Sequence, residues 1–526
     1  MSTERAIPQR ATSREWIGLA VLLLAALVYA MDLTVLNLAI PRISADLQPT
    51  SVQLLWIFDI YGFLVAGLLI TMGTLGDRIG RRRLLLAGAA GFALSSLLAA
   101  FSTSSEMLIA SRALMGVFGA TIAPSTLSLI FTMFLDEKQR TTAISLWIAA
   151  YSAGGAIGPV IGGVLLEFFW WGSVFLIGVP VMGLLLILGT GTLPEYRDAN
   201  ARRLDLRSAA MSLLAILAIV WGLKEIAQGG ISAVPMLAIA AGVVLGFFFV
   251  RRQRGLESPI IDVRLFRIRA FSASLGVYLL SIFVVVGYFL FIGQYLQLVL
   301  GLSPLVAALW SLPSAAGFIV GSVLAPRIIH RFRPAVIMGT GMGVAAIGTV
   351  ALLFIGVSGD GNLYLITAAM VVMTLAYAPV ITLATELIVG SAPPEQAGAA
   401  TGISETSGEL GGALGIAILG SIGTAVYRTG VADLLPAGIP DAAAAAARDT
   451  LGGAVEIAQS LPFELAAALV VAAQIAFVDA IHFVAAVAVV GAAVTAVAAA
   501  IALRTVPARS EPMAEEGAPA PVGAVD

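Results

Sequence analysis

The chain has 526 residues, a net charge of −2 and a mean hydropathy of +1.00, and only 11% of its residues are charged. Soluble proteins carry roughly 25% charged residues, so soluble enzymes, disordered proteins and nucleic-acid binders are excluded and a polytopic membrane protein remains. Cysteine is absent and histidine occurs twice, which excludes disulfides and thiolate sites and disfavours a histidine metal site. We therefore predict no cofactor and no metal.

Long apolar runs predict the secondary structure. Runs of roughly 18 or more residues are typical of membrane helices, whereas a membrane β-barrel shows ten-residue segments of alternating polarity. The sequence predicts an all-α polytopic membrane protein with fourteen spans. Their approximate bounds are 17–37, 53–73, 84–102, 106–132, 140–165, 172–192, 207–226, 234–250, 271–293, 304–326, 335–356, 362–389, 398–427 and 477–503.

The basic residues predict the orientation, because loops rich in Lys and Arg stay in the cytoplasm. With the N-terminus inside, 24 of the 29 Lys and Arg residues fall on the cytoplasmic side and one, Arg112, lies within a span. The remaining four are assigned to the outside: Arg42, Lys224, Arg428 and Arg448. Both termini are therefore predicted to be cytoplasmic. The first apolar run is too long for a signal peptide and lacks a small-residue cleavage site, so it is predicted to be a permanent anchor.

A basic, glycine-containing turn occurs twice, at 73–83 after span 2 and in weaker form at 321–333 after span 10. The recurrence indicates a repeat of six spans, 1–6 and 9–14, with spans 7 and 8 inserted as a hairpin. Transporters built from such repeats carry their substrate path between the halves. The predicted domains are a cytoplasmic N-terminus (1–16), an N-terminal six-helix bundle (17–192), a linker with the inserted hairpin (193–270), a C-terminal six-helix bundle (271–504) with a long external loop (429–476), and a disordered cytoplasmic tail (505–526).

Four motifs carry most of a family resemblance that covers nearly the whole chain, including residues 170–177, 262–266 and 453–456. The turn 73–83 resembles the signature loop of the major facilitator superfamily, and the glycine pattern at 154–163 resembles its antiporter motif. Residues 31–41 look like the first-span motif of the fourteen-span drug:proton antiporters, and residues 55–61 are similar to the quaternary-ammonium and dye exporters of that group. The residues that match the two glycine-containing motifs are Gly73, Asp77, Arg78, Gly80 and Arg81, and Gly154, Gly158, Pro159 and Gly162.

The resemblance implies a major facilitator fold with 14 transmembrane helices arranged as 6+2+6, in a bacterial cytoplasmic membrane. It also implies that Asp77, Arg78 and Arg81 latch the cytoplasmic side in the outward-open state, and that the glycines of span 5 form a seal and a pivot. An alternative for the glycines is plain close packing of helices. For most of the arginines in the turns, the alternative is that they only set the topology.

Ionisable residues inside spans are candidates for function because burying them in a membrane is costly. Asp32 and Arg112 are predicted at a similar depth on spans that face one cavity in this fold. We therefore expect the two side chains to form an ion pair that breaks when Asp32 takes up a proton. Asp32 and Arg112 are thus the predicted proton-coupling site. A permanent structural salt bridge is the alternative.

Three further acids are candidates for binding the exported cation. Asp59 follows Trp56 by three residues on one helical face, and a carboxylate beside an aromatic ring suits a lipophilic cation. Glu405 and Glu409 share a face of span 13 near the middle of the membrane. The alternatives are an interfacial Trp–Asp pair for the first two residues and helix capping or interhelical hydrogen bonding for the two glutamates.

The sequence as a whole predicts a transporter and no enzyme. We expect a proton-coupled antiporter, functional as a monomer, that exports lipophilic cations such as quaternary ammonium biocides, dyes and other drugs. Its partners would be these small molecules, protons and membrane lipids, and no nucleic acid. Export of an endogenous lipid or metabolite by the same mechanism is the alternative. Phe318 lies in span 10 where relatives of the family often carry an acid, which leaves the handling of dications open.

Overall fold

The structure is a computed structural model that describes residues 10–197, 205–256, 259, 261–359, 361–392 and 397–506. The predicted disordered tail lies outside the described residues beyond Val506, as do the first nine residues of the predicted N-terminus. In the described ranges the chain forms eighteen α-helices. The first ten are α1 (Ser13–Leu47), α2 (Ser51–Ile79), α3 (Arg81–Ala100), α4 (Ser105–Gly119), α5 (Ile122–Met133), α6 (Glu137–Phe168), α7 (Ser173–Leu176), α8 (Gly178–Thr192), α9 (Leu206–Gly229) and α10 (Ala233–Gly255). The other eight are α11 (Arg269–Gln294), α12 (Pro304–Arg331), α13 (Pro334–Val350), α14 (Asn362–Gly390), α15 (Ala397–Leu434), α16 (Asp441–Asp449), α17 (Leu451–Ala458) and α18 (Phe463–Ala502).

The fourteen predicted spans are confirmed: the described residues contain fourteen helical segments long and apolar enough to cross a membrane. The helices α4 and α5 together make one crossing, Ser105–Met133, and α7 with α8 makes another, Ser173–Thr192. The short helices α16 and α17 lie between the last two crossings. We call α1–α8 the N-terminal half, α9–α10 the hairpin and α11–α18 the C-terminal half. The face of the bundle at which α1 begins is the N-terminal face, and the other is the opposite face.

The connection between the last two crossings is shorter than the predicted external loop 429–476. Helix α15 continues to Leu434, and α18 begins at Phe463 rather than near residue 477. The first turns of α18 carry a buried stripe at helical spacing, Leu469, Ala472, Ala473 and Ala476. The added Cβ of a residue at Gly430 of α15 would lie 3.3 Å from the Cβ of Ala476. Contact with α15 therefore extends the last helix beyond the length that a membrane requires.

Local sequence signals fix several helix ends. The Thr12 and Thr50 side chains cap the first turns of α1 and α2. In return, the side chains of Glu15 and Gln53, three residues later, accept hydrogen bonds from the backbone N–H groups of the two threonines. Gly80 separates α2 from α3 with φ +114°, a value that residues with a Cβ rarely adopt. The tight basic turn after the second crossing therefore requires glycine at that position.

The same helix pairings recur in the two halves, as the predicted repeat requires. Helix α1 packs on α6 as α11 packs on α15, α2 packs on α4 as α12 packs on α14, and α3 packs on α8 as α13 packs on α18. Each pair in the second half is its counterpart displaced by eight crossings, which leaves α9 and α10 as the insertion. The arrangement is the predicted 6+2+6.

The two halves meet along two seams, one between α2 and α15 and the other between α6 and α12. Toward the opposite face, Gln297 Nε2 donates a hydrogen bond to the carbonyl oxygen of Leu38 at 3.1 Å, and Arg428 Nη1 donates one to Ser51 Oγ at 3.3 Å. Helix α17 also packs against α1. The halves are thus joined at the opposite face.

Candidate transport site

Asp32 and Arg112 form a buried ion pair between α1 and α4. Arg112 Nη1 lies 2.6 Å from Asp32 Oδ2, and the two side chains are 2% and 7% exposed for the arginine and the aspartate. Arg112 Nε donates a second hydrogen bond to the carbonyl oxygen of Ile57 at 3.2 Å. The structure therefore brings the predicted proton-coupling residues together, and the guanidinium has a further partner that would remain if Asp32 were neutralised.

Two tyrosines lie between this pair and Glu409 of the C-terminal half. The Tyr61 ring faces the Arg112 guanidinium at 4.5 Å, and the Tyr61 and Tyr29 ring centroids are 6.4 Å apart. The Tyr29 hydroxyl donates a hydrogen bond to Glu409 Oε1 at 3.0 Å. The ion pair of the N-terminal half is thereby connected to a carboxylate of the C-terminal half through three side-chain contacts.

Further aromatic rings surround the face of α15 that carries Glu405 and Glu409. Tyr151 lies 6.0 Å from Tyr29 between ring centroids and stacks on Trp147 at 5.7 Å. The hydroxyl of Tyr278 lies 2.8 Å from the position that a Cβ at Gly408 would occupy. Both glutamates are half-buried. Carboxylates beside several π faces are the combination that binds organic cations. Tyr29 and Tyr278 belong to this group although the sequence predicts neither of them as a site residue.

Asp59 forms a second buried ion pair, with Lys224 of the hairpin. Lys224 Nζ lies 2.8 Å from Asp59 Oδ1 and 2.7 Å from Oδ2, and neither side chain is exposed. The same ammonium group lies 3.7 Å from the centroid of a Trp56 ring. The assignment of Lys224 to the outside was wrong, because the residue lies within α9 and α9 packs against α2. The clue in the sequence was a lysine inside the apolar run of span 7. Burying its charge in a membrane is costly, so this lysine required a buried partner.

The pairs of Asp59 and of Asp32 lie on different sides of α2. Tyr61, which faces Arg112, is two residues from Asp59, and two residues turn a helix by about 200°. Trp56 and Asp59 accordingly face α9, away from the interior of the N-terminal half. Asp59 meets an ammonium group of the chain itself, and its contact with an exported cation remains a prediction.

The relative depth of Asp59 and Glu409 follows from the antiparallel register of α2 and α15. Leu55 meets Gly420, Gly62 meets Ala413 and Ile70 meets Gly402. Asp59 is three residues from Gly62 toward the opposite face, and Glu409 is four residues from Ala413 toward the N-terminal face. At a rise of 1.5 Å per residue, the two carboxylates are separated by about 10 Å along the bundle axis.

A cavity of about 460 Å³ lies between the halves beside the α6–α12 seam. Its volume lies within the usual range for sites that bind small organic molecules. No charged side chain occurs in its lining as far as the chain is described, and Phe318, Phe289 and Pro159 contribute apolar walls. Polar groups come from six residues: Thr34, Asn37, Tyr151, Ser311, Ser314 and Thr374. Tyr151 also contacts Tyr29, so the cavity adjoins the aromatic rings around Glu409.

The signature turn is held together within the N-terminal half. Arg81 Nη2 lies 2.5 Å from Asp77 Oδ1, one helical turn away, and Arg82 pairs with Glu195 at 3.6 Å. A Cβ at Gly80 would overlap the Glu195 carboxylate, and Gly73 faces Pro124 of α5. Arg78 is exposed. The latch role predicted for Asp77, Arg78 and Arg81 in another conformation remains a prediction.

The glycines of the antiporter motif lie against α1. A Cβ at Gly154 would overlap the Leu27 carbonyl oxygen, one at Gly158 would overlap Thr34 Oγ1, and one at Gly162 would overlap a Val35 methyl group. Close approach of α1 and α6 therefore requires glycine at these three positions. The seal and pivot roles remain predictions.

Comparison with known proteins identifies the family. Residues 22–416 match the model of the Major Facilitator Superfamily, and the chain belongs to this family. It is 44% identical to the multidrug efflux pump LfrA of Mycolicibacterium smegmatis, over 89% of this chain and 92% of that protein. It is 36% identical to the methyl viologen resistance protein SmvA of Salmonella typhimurium, over 88% and 93%. It is 34% identical to the tetracenomycin C resistance and export protein of Streptomyces glaucescens, over 77% and 76%.

Solved structures agree with this assignment at the level of the fold. A bacterial homologue of the lysosomal transporter Spinster, in an inward-facing and occupied conformation, matches with a TM-score of 0.62 at 17% identity, over 94% of this chain and 98% of that one. The peptide transporter POT in complex with sulfate matches with a TM-score of 0.59 at 16% identity, over 93% and 95%. The chain is thus a multi-pass membrane transporter and not an enzyme. The relatives named above that are efflux and resistance pumps support drug export as its function.

Proposed function

We propose that this transporter is a proton-coupled antiporter that exports lipophilic cations. The observation that carries the proposal is the line of contacts from Asp32 and Arg112 through Tyr61 and Tyr29 to Glu409. A group that takes up a proton and a group that suits a cation are thereby linked across the two halves. Drug export by the relatives supports the direction of transport.

Asp32 is the proposed proton carrier. Protonation removes its charge and loosens its hold on Arg112, which keeps the Ile57 carbonyl oxygen and the Tyr61 ring. Loss of the proton on the other side of the membrane re-forms the ion pair. Each state of Asp32 favours a different position of Tyr61, and through it a different arrangement of Tyr29 and Glu409.

Glu405 and Glu409 are the proposed cation site. Their carboxylates neutralise the charge of the exported molecule, and the rings of Tyr29, Tyr151 and Tyr278 cover its apolar surface. A cation at Glu409 competes with the Tyr29 hydroxyl for the same oxygen. Substrate binding therefore changes the only link in this line of contacts that crosses between the halves.

The energetics set what can be measured. One unit of pH difference supplies about 1.36 kcal/mol per proton, which corresponds to roughly tenfold accumulation of a monovalent cation at a one-to-one exchange. A second proton per cation would add net charge movement worth about 2.3 kcal/mol per 100 mV.

The test is dye accumulation in everted membrane vesicles with an imposed pH gradient and a collapsed membrane potential. We expect the wild type to concentrate ethidium. We expect Glu405→Gln and Glu409→Gln to reduce the accumulation of cations more than that of uncharged drugs. Glu464→Gln, at an exposed carboxylate in the first turn of α18, is the control. Equal accumulation with and without the gradient would contradict proton coupling, and equal losses for charged and uncharged drugs would contradict the cation site.

A further inference from the structure

The hairpin α9–α10 contains a fully buried basic side chain, Lys224. The transport cycle proposed above does not use it. Lys224 is 0% exposed, and both oxygens of Asp59 and the Trp56 ring contact its ammonium group. Replacing one partner of such a pair leaves a buried charge uncompensated, whereas replacing both with apolar groups is often tolerated. The pair therefore specifies where α9 lies more than it adds to stability.

Helix α9 lies over the seam between the halves, because it packs against both α2 and α15. Val220 of α9 is fully buried in one apolar cluster with Phe63 of α2 and with Ala413 and Ala417 of α15. Closer to the N-terminal face, Leu213 of α9 contacts Gly67 of α2. The hairpin thus covers the α2–α15 seam from the side away from Arg112.

The contacts that α9 makes with its two neighbours differ in kind. With α2 it shares the ion pair, whose hydrogen bonds are directional and weaken steeply when the two groups move apart. With α15, the contacts within the cluster are between aliphatic side chains, with Ile216, Leu217, Leu410 and Leu414 around the buried centre. Aliphatic surfaces can slide past one another without breaking a hydrogen bond, so α9 is fixed to α2 and can shift relative to α15.

We propose that Lys224 and Asp59 dock the hairpin onto the N-terminal half, so that α9 moves with α2 during transport and keeps the α2–α15 seam covered while the halves rock. Asp59 and Trp56 act here as positioning residues for the hairpin. This docking requires only that the two halves rock, whichever ion or drug the transporter carries.

Because the chain contains no cysteine, pairs of introduced cysteines test the inference directly. A Cβ at Gly67 would lie 3.7 Å from the Cβ of Leu213, and a Cβ at Gly62 would lie 3.4 Å from the Cβ of Ala413. Both distances are close to those of natural disulfides. Gly67→Cys with Leu213→Cys joins α9 to α2, whereas Gly62→Cys with Ala413→Cys joins α2 to α15.

We expect the oxidised α9–α2 pair to export dye at a rate within about twofold of the same variant after reduction, and the oxidised α2–α15 pair to lose export until it is reduced. Loss of export in the oxidised α9–α2 pair, restored by reduction, would overturn the inference. Export by both oxidised pairs would instead contradict rocking of the halves along this seam, which the proposed function requires.

A double-mutant comparison tests the role of Asp59. We expect Asp59→Leu or Lys224→Met alone to remove most of the folded transporter from the membrane, and the combination of the two to restore it. A combination that is as poorly folded as the single variants would overturn the docking role. A combination that folds fully and exports uncharged drugs but no cation would show that Asp59 contacts the substrate, and would equally overturn the inference.

Discussion

The carboxylate of Asp32 has one strong partner, and its charge is the quantity that the proposed mechanism changes. Asp32→Asn keeps the size of the side chain and one oxygen that can accept a hydrogen bond from Arg112, so it imitates the protonated acid. We expect this variant to lose accumulation driven by a pH gradient and to retain downhill exchange of dye. Everted vesicles with the membrane potential collapsed separate the two activities.

Asp46→Asn is the matched control on the same helix, because Asp46 accepts a hydrogen bond from Trp171 Nε1 and takes no part in the ion pair. This variant should keep pH-driven accumulation. If Asp32→Asn still concentrated dye against its gradient, another group would have to carry the proton.

Phe318 makes one wall of the cavity apolar and uncharged. Phe318→Asp places a carboxylate in a lining that otherwise contains no charged side chain in the described chain. Two opposite unit charges about 4 Å apart attract by about 1 kcal/mol in water and by about 4 kcal/mol near a protein surface, so we expect export of the dication methyl viologen to rise by about tenfold. The measurement is methyl viologen resistance of cells that express each variant, corrected for the amount of transporter. Phe318→Asn supplies polarity without charge, and an equal gain in that variant would contradict the charge argument.

At the scale of helices, the contact of α1 with α6 depends on missing side chains. A Cβ at Gly158 would overlap Thr34, whereas a Cβ at Gly155, on the same helix, would meet no atom within 4 Å. We expect Gly158→Ala to reduce stability by about 1–3 kcal/mol, as overpacking does, and Gly155→Ala to raise it by up to about 1 kcal/mol. Thermal unfolding of the purified transporter in detergent measures both. An unfolding temperature of Gly158→Ala equal to that of the wild type would show that α1 can move aside without loss of stability.

The end of the hairpin at the N-terminal face is held by Asp205. Its carboxylate caps α9 by accepting a hydrogen bond from the Ser208 backbone N–H at 3.1 Å, and it accepts another from Arg252 Nη2 of α10 at 3.0 Å. Partial burial acts to raise the pKa of Asp205, but the hydrogen bonds from Ser208 and Arg252 outweigh it, and the pKa is lowered from its ordinary value.

The lowered pKa gives the pH dependence its sign. The contribution of Asp205 to stability is complete above its unfolded pKa of about 3.9 and is lost as the pH falls through the lower folded value. We expect amide hydrogen exchange in residues 205–212, corrected for intrinsic rates, to accelerate at acidic pH in the wild type. Asp205→Ala should exchange faster at pH 7, by about the 1 kcal/mol of a helix cap, and should lose the pH dependence. A wild type without such dependence would contradict the cap's role.

For the whole molecule, the distribution of arginine predicts that the N-terminal face lies in the cytoplasm. Single cysteines in this cysteine-free chain can report it. Ser13→Cys, at the start of α1, should react with a membrane-impermeant thiol reagent only in everted vesicles. Ser460→Cys, exposed between α17 and α18, should react in intact cells. The reverse pattern would invert the predicted topology and the direction of the proposed cycle.

The sequence alone determined the class, the fourteen crossings and the repeat, because membrane burial imposes long apolar runs and because basic turns recur at equivalent positions. It also indicated the pairing of Asp32 with Arg112, since two buried opposite charges at one depth on neighbouring helices have few other partners. Such inferences depend on composition and helical rise, which are local properties of the chain.

Only the tertiary structure decided which side of each helix faces which neighbour. The sequence predicts Asp59 as part of the cation site, and only its position on α2 shows that it pairs with Lys224 of the inserted hairpin. Tyr29 was not among the predicted residues, because its partner Glu409 is 380 positions away. Contacts between side chains so distant in sequence depend on the packing of whole helices, and no local pattern of residues records that packing.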